Sequence, residues 1–390
     1  MTKLTLLQIN NLEIEFPSRK SVLRAVDNVS LSLEKGDILG IVGESGAGKS
    51  TVGNALIGLL EPPGQMTKGE IFLDGNRIDN LPDSEKQKIR GKEIGMIFQD
   101  PLTSLNPLQT IEDQLVETIN LHLELGENGA QQRAVELLDQ VGIPDPDVRV
   151  KQYPHQFSGG MRQRVVVALA LCAEPNLIIA DEPTTALDVS IQAQILDLMR
   201  GLCKEKQVGM VIITHDMGVI ADITDRVAVM YLGKIVELAN SEDLYSNALH
   251  PYTQALLSSI PVADLDREKN RIILEGDVPN PITPPSGCSF HPRCPHAIDK
   301  CKKEIPILAN YASIKNNLKL PKDIPGSYYF KHAGIFLKVT EKYYCIFSSS
   351  KGGVLKIYDK QTNQISYSDC GYWIKENNSI TISSQSFSLK

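Results

Sequence analysis

The segment Gly43-Glu44-Ser45-Gly46-Ala47-Gly48-Lys49-Ser50 constrains this chain more than any other. It meets the pattern G-x-x-x-x-G-K-[ST] at every fixed position, and its flanks supply the context that the pattern needs. Before it, Ile38-Leu39-Gly40-Ile41-Val42 is short, apolar and β-branched, as a buried strand is. After it, Thr51 to Leu60 reads as the start of a helix. A strand, a glycine turn and a helix N-terminus aim backbone N–H groups and the positive end of a helix dipole at one point, which makes an anion site. Lys49 reaches the β/γ-phosphates of a nucleotide held there, and Ser50 offers its hydroxyl to Mg2+.

Two further stretches belong with this loop. Leu177-Ile178-Ile179-Ala180-Asp181-Glu182 is an apolar strand that ends in two carboxylates. Ligands bind at the C-terminal ends of strands in open parallel sheets. Asp181 is placed to hold Mg2+, directly or through water, and Glu182 to polarise an attacking water. Phe157-Ser158-Gly159-Gly160-Met161-Arg162-Gln163 reads as a second anion-binding helix start. Ser158 caps the helix, and Gly159 and Gly160 leave its N–H groups open.

The rest of the chain arranges itself around these motifs. Residues 1–36 alternate polar and apolar, which predicts antiparallel strands, with Glu70–Leu73 and Ile94–Phe98 as further strands. Residues 102–153 read as helical, and Leu177–Ala180 and Met210–Thr214 as buried strands separated by helices. Such alternation predicts a mostly parallel sheet covered by helices. A Pro-, Gly- and Ser-rich stretch at 276–295 reads as a linker into a loop-rich unit. From Tyr328 onward lie seven of the 12 tyrosines and the only tryptophan, in short runs that read as aromatic, β-branched strands. That tail is expected to be a small antiparallel unit or part of a larger β-sandwich.

Charge and apolar content narrow the function classes. With 40 Lys and Arg against 47 Asp and Glu, the net charge of −7 argues against general nucleic-acid binding. No apolar run approaches the roughly 18–20 residues that span a bilayer. Asn10, Asn11, Glu13 and Glu15 interrupt any signal-peptide core between Met1 and Phe16. The expected location is therefore the cytoplasm, with any membrane contact made through partners. Seven cysteines, an odd number, argue against a disulfide framework. Three of them, in Cys288-x5-Cys294-x6-Cys301, lie close enough to suit a metal better than a core.

On these motifs the chain resembles the ATP-binding subunit of an ABC transporter, over about residues 4–260. Gly43, Glu44, Ser45, Gly46, Ala47, Gly48, Lys49, Ser50 and Thr51 match the Walker A loop, and Leu177 to Asp181 match Walker B. Glu182 matches the catalytic glutamate. Phe157 to Gln163 match the family signature, with Phe157 for the usual Leu and Met161 for the usual Gln. Gln99 matches the Q-loop glutamine, which senses Mg2+ and the membrane subunits. Asp188, in Ala186-Leu187-Asp188, matches the D-loop, and His215, in Thr214-His215-Asp216, matches the switch histidine, although a histidine after a strand is also an ordinary structural residue. Phe16 lies where the family stacks an aromatic ring on adenine, and reads equally as a core residue.

The resemblance implies an α/β fold of the P-loop NTPase, ABC type, within residues 1–255. That core carries an antiparallel β subdomain and a helical subdomain at about 102–173. A loop-rich, cysteine-containing C-terminal extension follows at 256–324, and then a β-rich tail at 325–390. It also implies a pair of ATPase subunits joined head to tail, homologous or identical. One chain supplies Walker A, Walker B and His215. The facing chain supplies Ser158, Gly159 and Gly160 to the γ-phosphate, while Gln163 completes the signature.

Gln99-Asp100-Pro101-Leu102-Thr103-Ser104-Leu105-Asn106-Pro107, and later His250-Pro251-Tyr252-Thr253 with Leu256-Leu257, look like the oligopeptide/dipeptide (and nickel) importer ATPases. In that branch the three-cysteine spacing is associated with a [4Fe–4S] cluster, and four ligands are normal. This chain has no fourth cysteine before Cys345, which sits in a strand-like run and reads equally as a core residue. Zinc with His291 and His296 is the alternative. The implied function is an ATPase subunit for import of peptides or a related small solute, peripheral on the cytoplasmic face of the inner membrane. Its partners would be two transmembrane permease subunits, docked near Gln99 and 102–153, and indirectly a solute-binding protein. The alternative is a soluble ABC ATPase acting on nucleic acid in repair or translation, which the single ATPase unit and the acidic charge disfavour.

Overall fold

The computed structural model describes residues 4–185, 187–260 and 271–305, and the backbone of seven strands between Gly326 and Ile382. The chain divides into two units, 1–312 and 313–390.

In the first unit, β1 (Thr5–Pro17) and β2 (Val22–Glu34) pair antiparallel, with buried and exposed residues alternating along much of each strand. β3 (Ile38–Val42) is buried at every residue and runs through the phosphate loop into α1 (Lys49–Leu56). β4 (Gln65–Leu73) and β5 (Asn76–Arg77) return to the first layer and complete a four-stranded sheet in the order β2-β1-β4-β5. Next come α2 (Asp83–Ile89), β6 (Ile94–Ile97), α3 (Pro101–Ser104), α4 (Ile111–His122), α5 (Gly126–Gln140), α6 (Pro146–Arg149) and α7 (Gly159–Leu171). The series continues with β7 (Leu177–Asp181), α8 (Val189–Lys206), β8 (Gly209–Thr214), α9 (Met217–Ile220), β9 (Arg226–Tyr231) and β10 (Lys234–Asn240). Two helices, α10 (Ser241–Asn247) and α11 (Pro251–Ser258), close it.

The central sheet has six strands in the order β10-β9-β3-β8-β7-β6, parallel except for the antiparallel edge strand β10. Because side chains alternate across a strand, one strand feeds two cores. Ile178 and Ala180 of β7 and Met210 and Ile212 of β8 face a core shared with α7, α8 and the helical region. Ile179, Val211 and Ile213 face the other core, shared with α1 and the antiparallel sheet. Burial on both faces explains why these strands are continuous apolar runs. The helical region holds together by helical spacing: Ile111, Leu115 and Ile119 of α4 and Ala130, Ala134, Leu137 and Leu138 of α5 are all buried. Thr110 and Asp113 close a capping box at the start of α4.

The α/β reading of the sequence therefore holds, and one of its details is filled in. The stretch at 276–295 ends in packed structure. Cys288 and Phe290 enter the first core, and Phe290 packs on Tyr231, Tyr252 and His250 at centroid distances of 5.3, 5.5 and 5.5 Å. An aromatic side chain buried on such a pocket fixes a segment that its Pro and Gly content alone makes look loose.

The second unit contains β11 (Gly326–Phe330), β12 (Ile335–Val339), β13 (Tyr343–Ser348), β14 (Val354–Asp359) and β15 (Gln364–Asp369), which form an antiparallel meander. β16 (Trp373–Glu376) and β17 (Ser379–Ile382) form a separate hairpin. Among the described residues, no helix is long and apolar enough to cross a membrane.

Candidate functional site

The phosphate loop takes a shape that only glycine permits at two points. Gly43 and Gly48 have φ of 155° and 96°, and an added Cβ would run into the carbonyl oxygens of Met230 and Ala25 respectively. The loop wraps around Lys49, which is buried at 6% exposure and donates from Nζ to the carbonyls of Gly43 and Glu44, at 2.9 and 3.1 Å. Burial pulls the Lys49 ammonium below its usual range, opposed by Glu182, Asp181 and Glu44. Such a cation gains most from an anionic ligand.

At the end of β7, Asp181 accepts a hydrogen bond from the Ser50 hydroxyl at 3.0 Å. Burial holds its carboxyl above the usual range, against that bond and with the Glu182 charge adding. A hydroxyl and a carboxylate side by side are the oxygen donors a hard divalent cation takes, so the pair fits Mg2+. Glu182 follows with φ of 47°, a left-handed conformation that a glutamate adopts at a cost of about 1–3 kcal/mol. Its N–H is satisfied by the Ile213 carbonyl at 2.8 Å. That turn aims the carboxylate at three donors. Gln99 Nε2 and Thr185 Oγ1 reach Oε2 at 2.9 and 3.0 Å, and His215 Nδ1 lies 2.9 Å from Oε1. Burial pushes the Glu182 carboxyl up, but the bonds to His215 and Thr185 outweigh it and hold the group below the usual carboxylate range.

These groups border a cleft of about 610 Å3 lined by Ser45, Gly46, Gly48, Lys49, Ser50, Thr51, Gln99, Glu182 and His215, together with Glu44 and Leu256. Gly43 and Ala47 support the loop from behind, both buried. The structure thus brings Gln99, Asp181, Glu182 and His215 to the loop from separate parts of the chain.

Four expected residues lie elsewhere. Ser158 caps α7 by accepting from Met161 N–H at 3.3 Å, and Gly159 and Gly160 open that helix; none of the three lines the cleft. Gly160 faces Ile191, where a Cβ would not fit. Asp188 caps α8 by accepting from Ile191 N–H at 3.0 Å, and hydrogen bonds from Ser190 and Ile191 hold its carboxyl below the usual range. Its neighbour Ala186 lies outside the described residues. Two more of these residues pack inward. Phe16 is not among the residues that line the cleft; its ring covers Gly64 and packs on the second core, because β1 carries it to that side of the antiparallel sheet. Gln163 is buried at 2%, with no hydrogen-bond partner for Nε2 among the described residues, because α7 turns it inward.

The sequence reading missed several contributors. Thr185 braces Glu182, and Leu256 walls the cleft. Glu237 of β10 accepts from the backbone N–H groups of Leu249 and His250 at 2.8 and 3.0 Å, and so fixes the entry of α11. Tyr252 of α11 then accepts from the Glu44 N–H at 2.9 Å. The signal for these was the His-Pro-Tyr-Thr run, whose Pro251 starts α11.

The cysteine turn is built locally. Cys288 N–H donates to the Cys301 carbonyl at 2.9 Å, and one-turn 3-10 helices cover His291–Arg293 and Asp299–Lys302. Burial pushes the Cys288 thiol up, against a backbone hydrogen bond at Phe290, and Cys301 and Cys294 add to the rise. Metal binding needs thiolates, and among the described residues no group of three or more His, Cys, Asp or Glu is arranged to hold a metal ion. The three free thiols are the donor type that a cluster takes, one short of the usual four. Cys345 lies on β13 of the second unit, and its side chain lies outside the described residues.

A parallel sheet whose phosphate loop faces a braced glutamate at the next strand but one defines a P-loop nucleoside triphosphatase. Comparisons with known proteins narrow that class. Residues 26–185 match the family described as ABC transporter, and 236–301 match the oligopeptide/dipeptide transporter C-terminal region. The chain is 47% identical over 310 residues to the oligopeptide transport ATP-binding protein AppD of Bacillus subtilis, covering 79% of this chain and 94% of that one. It is 43% identical over 305 residues to the dipeptide transport ATP-binding protein DppD of Escherichia coli, covering 78% and 93%. Among solved structures, the ATP-binding cassette MJ0796, described as a dimeric post-hydrolysis state bound to ADP and Pi, superposes with a TM-score of 0.55. It is 29% identical and covers 60% of this chain and 99% of that one. The chain belongs to the ABC transporter ATPases, in the family of oligopeptide and dipeptide transport ATP-binding proteins.

Proposed function

We propose that the chain is the ATP-hydrolysing subunit of an importer for di- or oligopeptides, bound peripherally at the cytoplasmic face of the inner membrane. The observation that carries the chemistry is Glu182, held by Gln99, Thr185 and His215 opposite Lys49 and Ser50. In this reading the loop N–H groups and Lys49 bind the β/γ-phosphates of ATP. Mg2+, held by Ser50 and Asp181, neutralises phosphate charge when bound. Glu182 takes a proton from water as the water oxygen bonds to the γ-phosphorus and the bridging P–O bond breaks, with ADP as the leaving group. Gln99 and His215 orient the Glu182 carboxylate. Ser158, Gly159 and Gly160 lie away from the chain's own cleft, which supports their serving a second ATPase chain head to tail, with Asp188 at the same junction. Phe16 and Gln163 are read as packing residues.

Two permease subunits would dock on a groove lined by Leu59, Arg90, Phe98, Ser104, Thr118 and Leu169, beside Gln99. Phe98 and Leu59 are 44% and 41% exposed there, an apolar surface suited to a helix from a partner. A solute-binding protein would act through those subunits. The nucleic-acid alternative has nothing in its favour, since the relatives named above are transport proteins and the chain is acidic. The [4Fe–4S] reading of Cys288, Cys294 and Cys301 is a separate and finer proposal. It predicts iron and sulfide in chain purified without air, and their absence sinks it. For the transport reading, the test is purification with the products of neighbouring genes. Two polytopic membrane proteins that stimulate hydrolysis are expected, whereas stimulation by DNA or RNA alone would overturn it.

A further inference from the structure

Glu44, the second residue of the phosphate loop, is tied to two residues far along the chain. Its carbonyl accepts from Lys49 Nζ at 3.1 Å, and its N–H donates to the Tyr252 hydroxyl at 2.9 Å. Its carboxylate receives a two-point ion pair from Arg293, with Nη1 to Oε2 at 2.9 Å and Nη2 to Oε1 at 3.4 Å. The Arg293 side chain is only 9% exposed, and Glu44 is 32% exposed. Arg293 sits between Cys288 and Cys294 on the His291–Arg293 turn, whose backbone is fixed by Arg293 N–H on the Phe290 carbonyl at 3.0 Å. Phe290 in turn is buried at 1% on Tyr231 and Tyr252. A paired arginine fork specifies orientation as well as charge. The Tyr252 and Arg293 contacts therefore tie the loop's second residue to the C-terminal extension, from 208 and 249 positions further along the chain.

We propose that Arg293 is a positioning residue for ATP binding, which sets the conformation of the phosphate loop through Glu44 and so makes nucleotide affinity depend on the cysteine-bearing turn. This rests on reading the cleft as the ATP site. Arg293 does not touch the reacting atoms. It fixes the loop whose N–H groups meet the phosphates, so losing it weakens binding and leaves the chemical step at saturation intact.

The experiment is a double-mutant cycle on the full-length chain, with MANT-ATP binding and steady-state hydrolysis measured side by side. Arg293→Gln is expected to raise Kd by about tenfold, while its kcat at saturating ATP stays within about twofold, and Glu44→Gln is expected to raise Kd by a similar factor. The double variant should be no weaker than either single one, because both remove the same pair. Arg293→Lys should recover part of the affinity, as a point charge without the fork. An unchanged Kd in either glutamine variant, a loss confined to kcat, or additive effects approaching a hundredfold would overturn the proposal. If Arg293→Gln does not fold, as judged by its melting transition, Glu44→Gln alone decides by the same Kd criterion. A wild-type chain that binds no MANT-ATP would remove the ATP-site reading itself, a different failure from a glutamine variant that binds normally.

Discussion

Replacing Glu182 by glutamine separates the chemistry of the cleft from its architecture. Oε2 accepts from two donors, Gln99 Nε2 at 2.9 Å and Thr185 Oγ1 at 3.0 Å, while Oε1 lies 2.9 Å from His215 Nδ1. A glutamine amide can place its oxygen at the Oε2 position and its NH2 toward His215, whose neutral ring accepts in one tautomer. The contacts therefore survive. What disappears is the charge that strengthens them, and with it the ability to take a proton. Charge-assisted bonds of about 1.5–3 kcal/mol fall to about 1 kcal/mol each, and relief from burying a carboxylate offsets much of the loss. Folding stability should therefore shift by no more than about 1 kcal/mol. Turnover is another matter, because a positioned base contributes about 10²–10⁴ in rate, or roughly 3–5 kcal/mol of barrier. A continuous phosphate-release assay should show that loss, with ATP affinity kept and an ATP-bound pair of chains accumulating on size exclusion. Turnover within about threefold of wild type, or loss of ATP binding, would refute the assignment of Glu182 as base.

Other perturbations test other parts of the account. Phe98→Asp should leave the isolated chain's ATPase activity unchanged and abolish its stimulation by the permease subunits; retained stimulation would move the docking surface elsewhere. Gly48→Ala forces a Cβ at φ 96° toward the Ala25 carbonyl, so nucleotide binding should fall below detection in a titration, with a lowered melting temperature. His250 is buried at 6% and its Nδ1 accepts from the Tyr252 N–H. Burial lowers its pKa to about 4, from 6.5, so the unfolded chain takes the proton first as pH falls. Stability is unaffected above about 6.5 and declines through that window to about 4, by about 3 kcal/mol in all. Denaturant melts at pH 7 and pH 5 should show the decline, and it should shrink in His250→Asn; an identical decline in that variant would exclude His250 as its source.

What was legible in the sequence was what is encoded locally. The glycines, Lys49 and Ser50 sit in one loop because covalent connectivity puts them there, and Asp181 and Glu182 announce themselves as carboxylates ending an apolar run. Continuous apolar runs gave away β3, β7 and β8, since strands buried on both faces have no polar alternation to disguise them. The contacts that complete the site were not legible, because they join residues far apart in the chain. Nothing near Glu44 hints that Tyr252 and Arg293 hold it, or near Glu182 that its backbone takes φ 47°. Phe16 and Gln163 show the converse. Their residue types fitted a ligand contact, and for Phe16 a core position equally, while register in β1 and the inward face of α7, which are not written locally, decide where the side chains point. At 276–295 the Pro and Gly content showed the loops, and only the fold shows that Phe290 anchors their end.

If hydrolysis at Glu182 drives peptide import, transport must stop when that base is lost. The chain would be reconstituted with its permease subunits and solute-binding protein in vesicles that enclose ATP and Mg2+ on the chain's side. Accumulation of a labelled di- or oligopeptide would then be followed. Wild type should accumulate peptide while ATP lasts, and Glu182→Gln should bind ATP yet accumulate none. Peptide accumulation by the Glu182→Gln complex, or ATP hydrolysis by wild type with no peptide moved by any member of a broad peptide panel, would contradict the account.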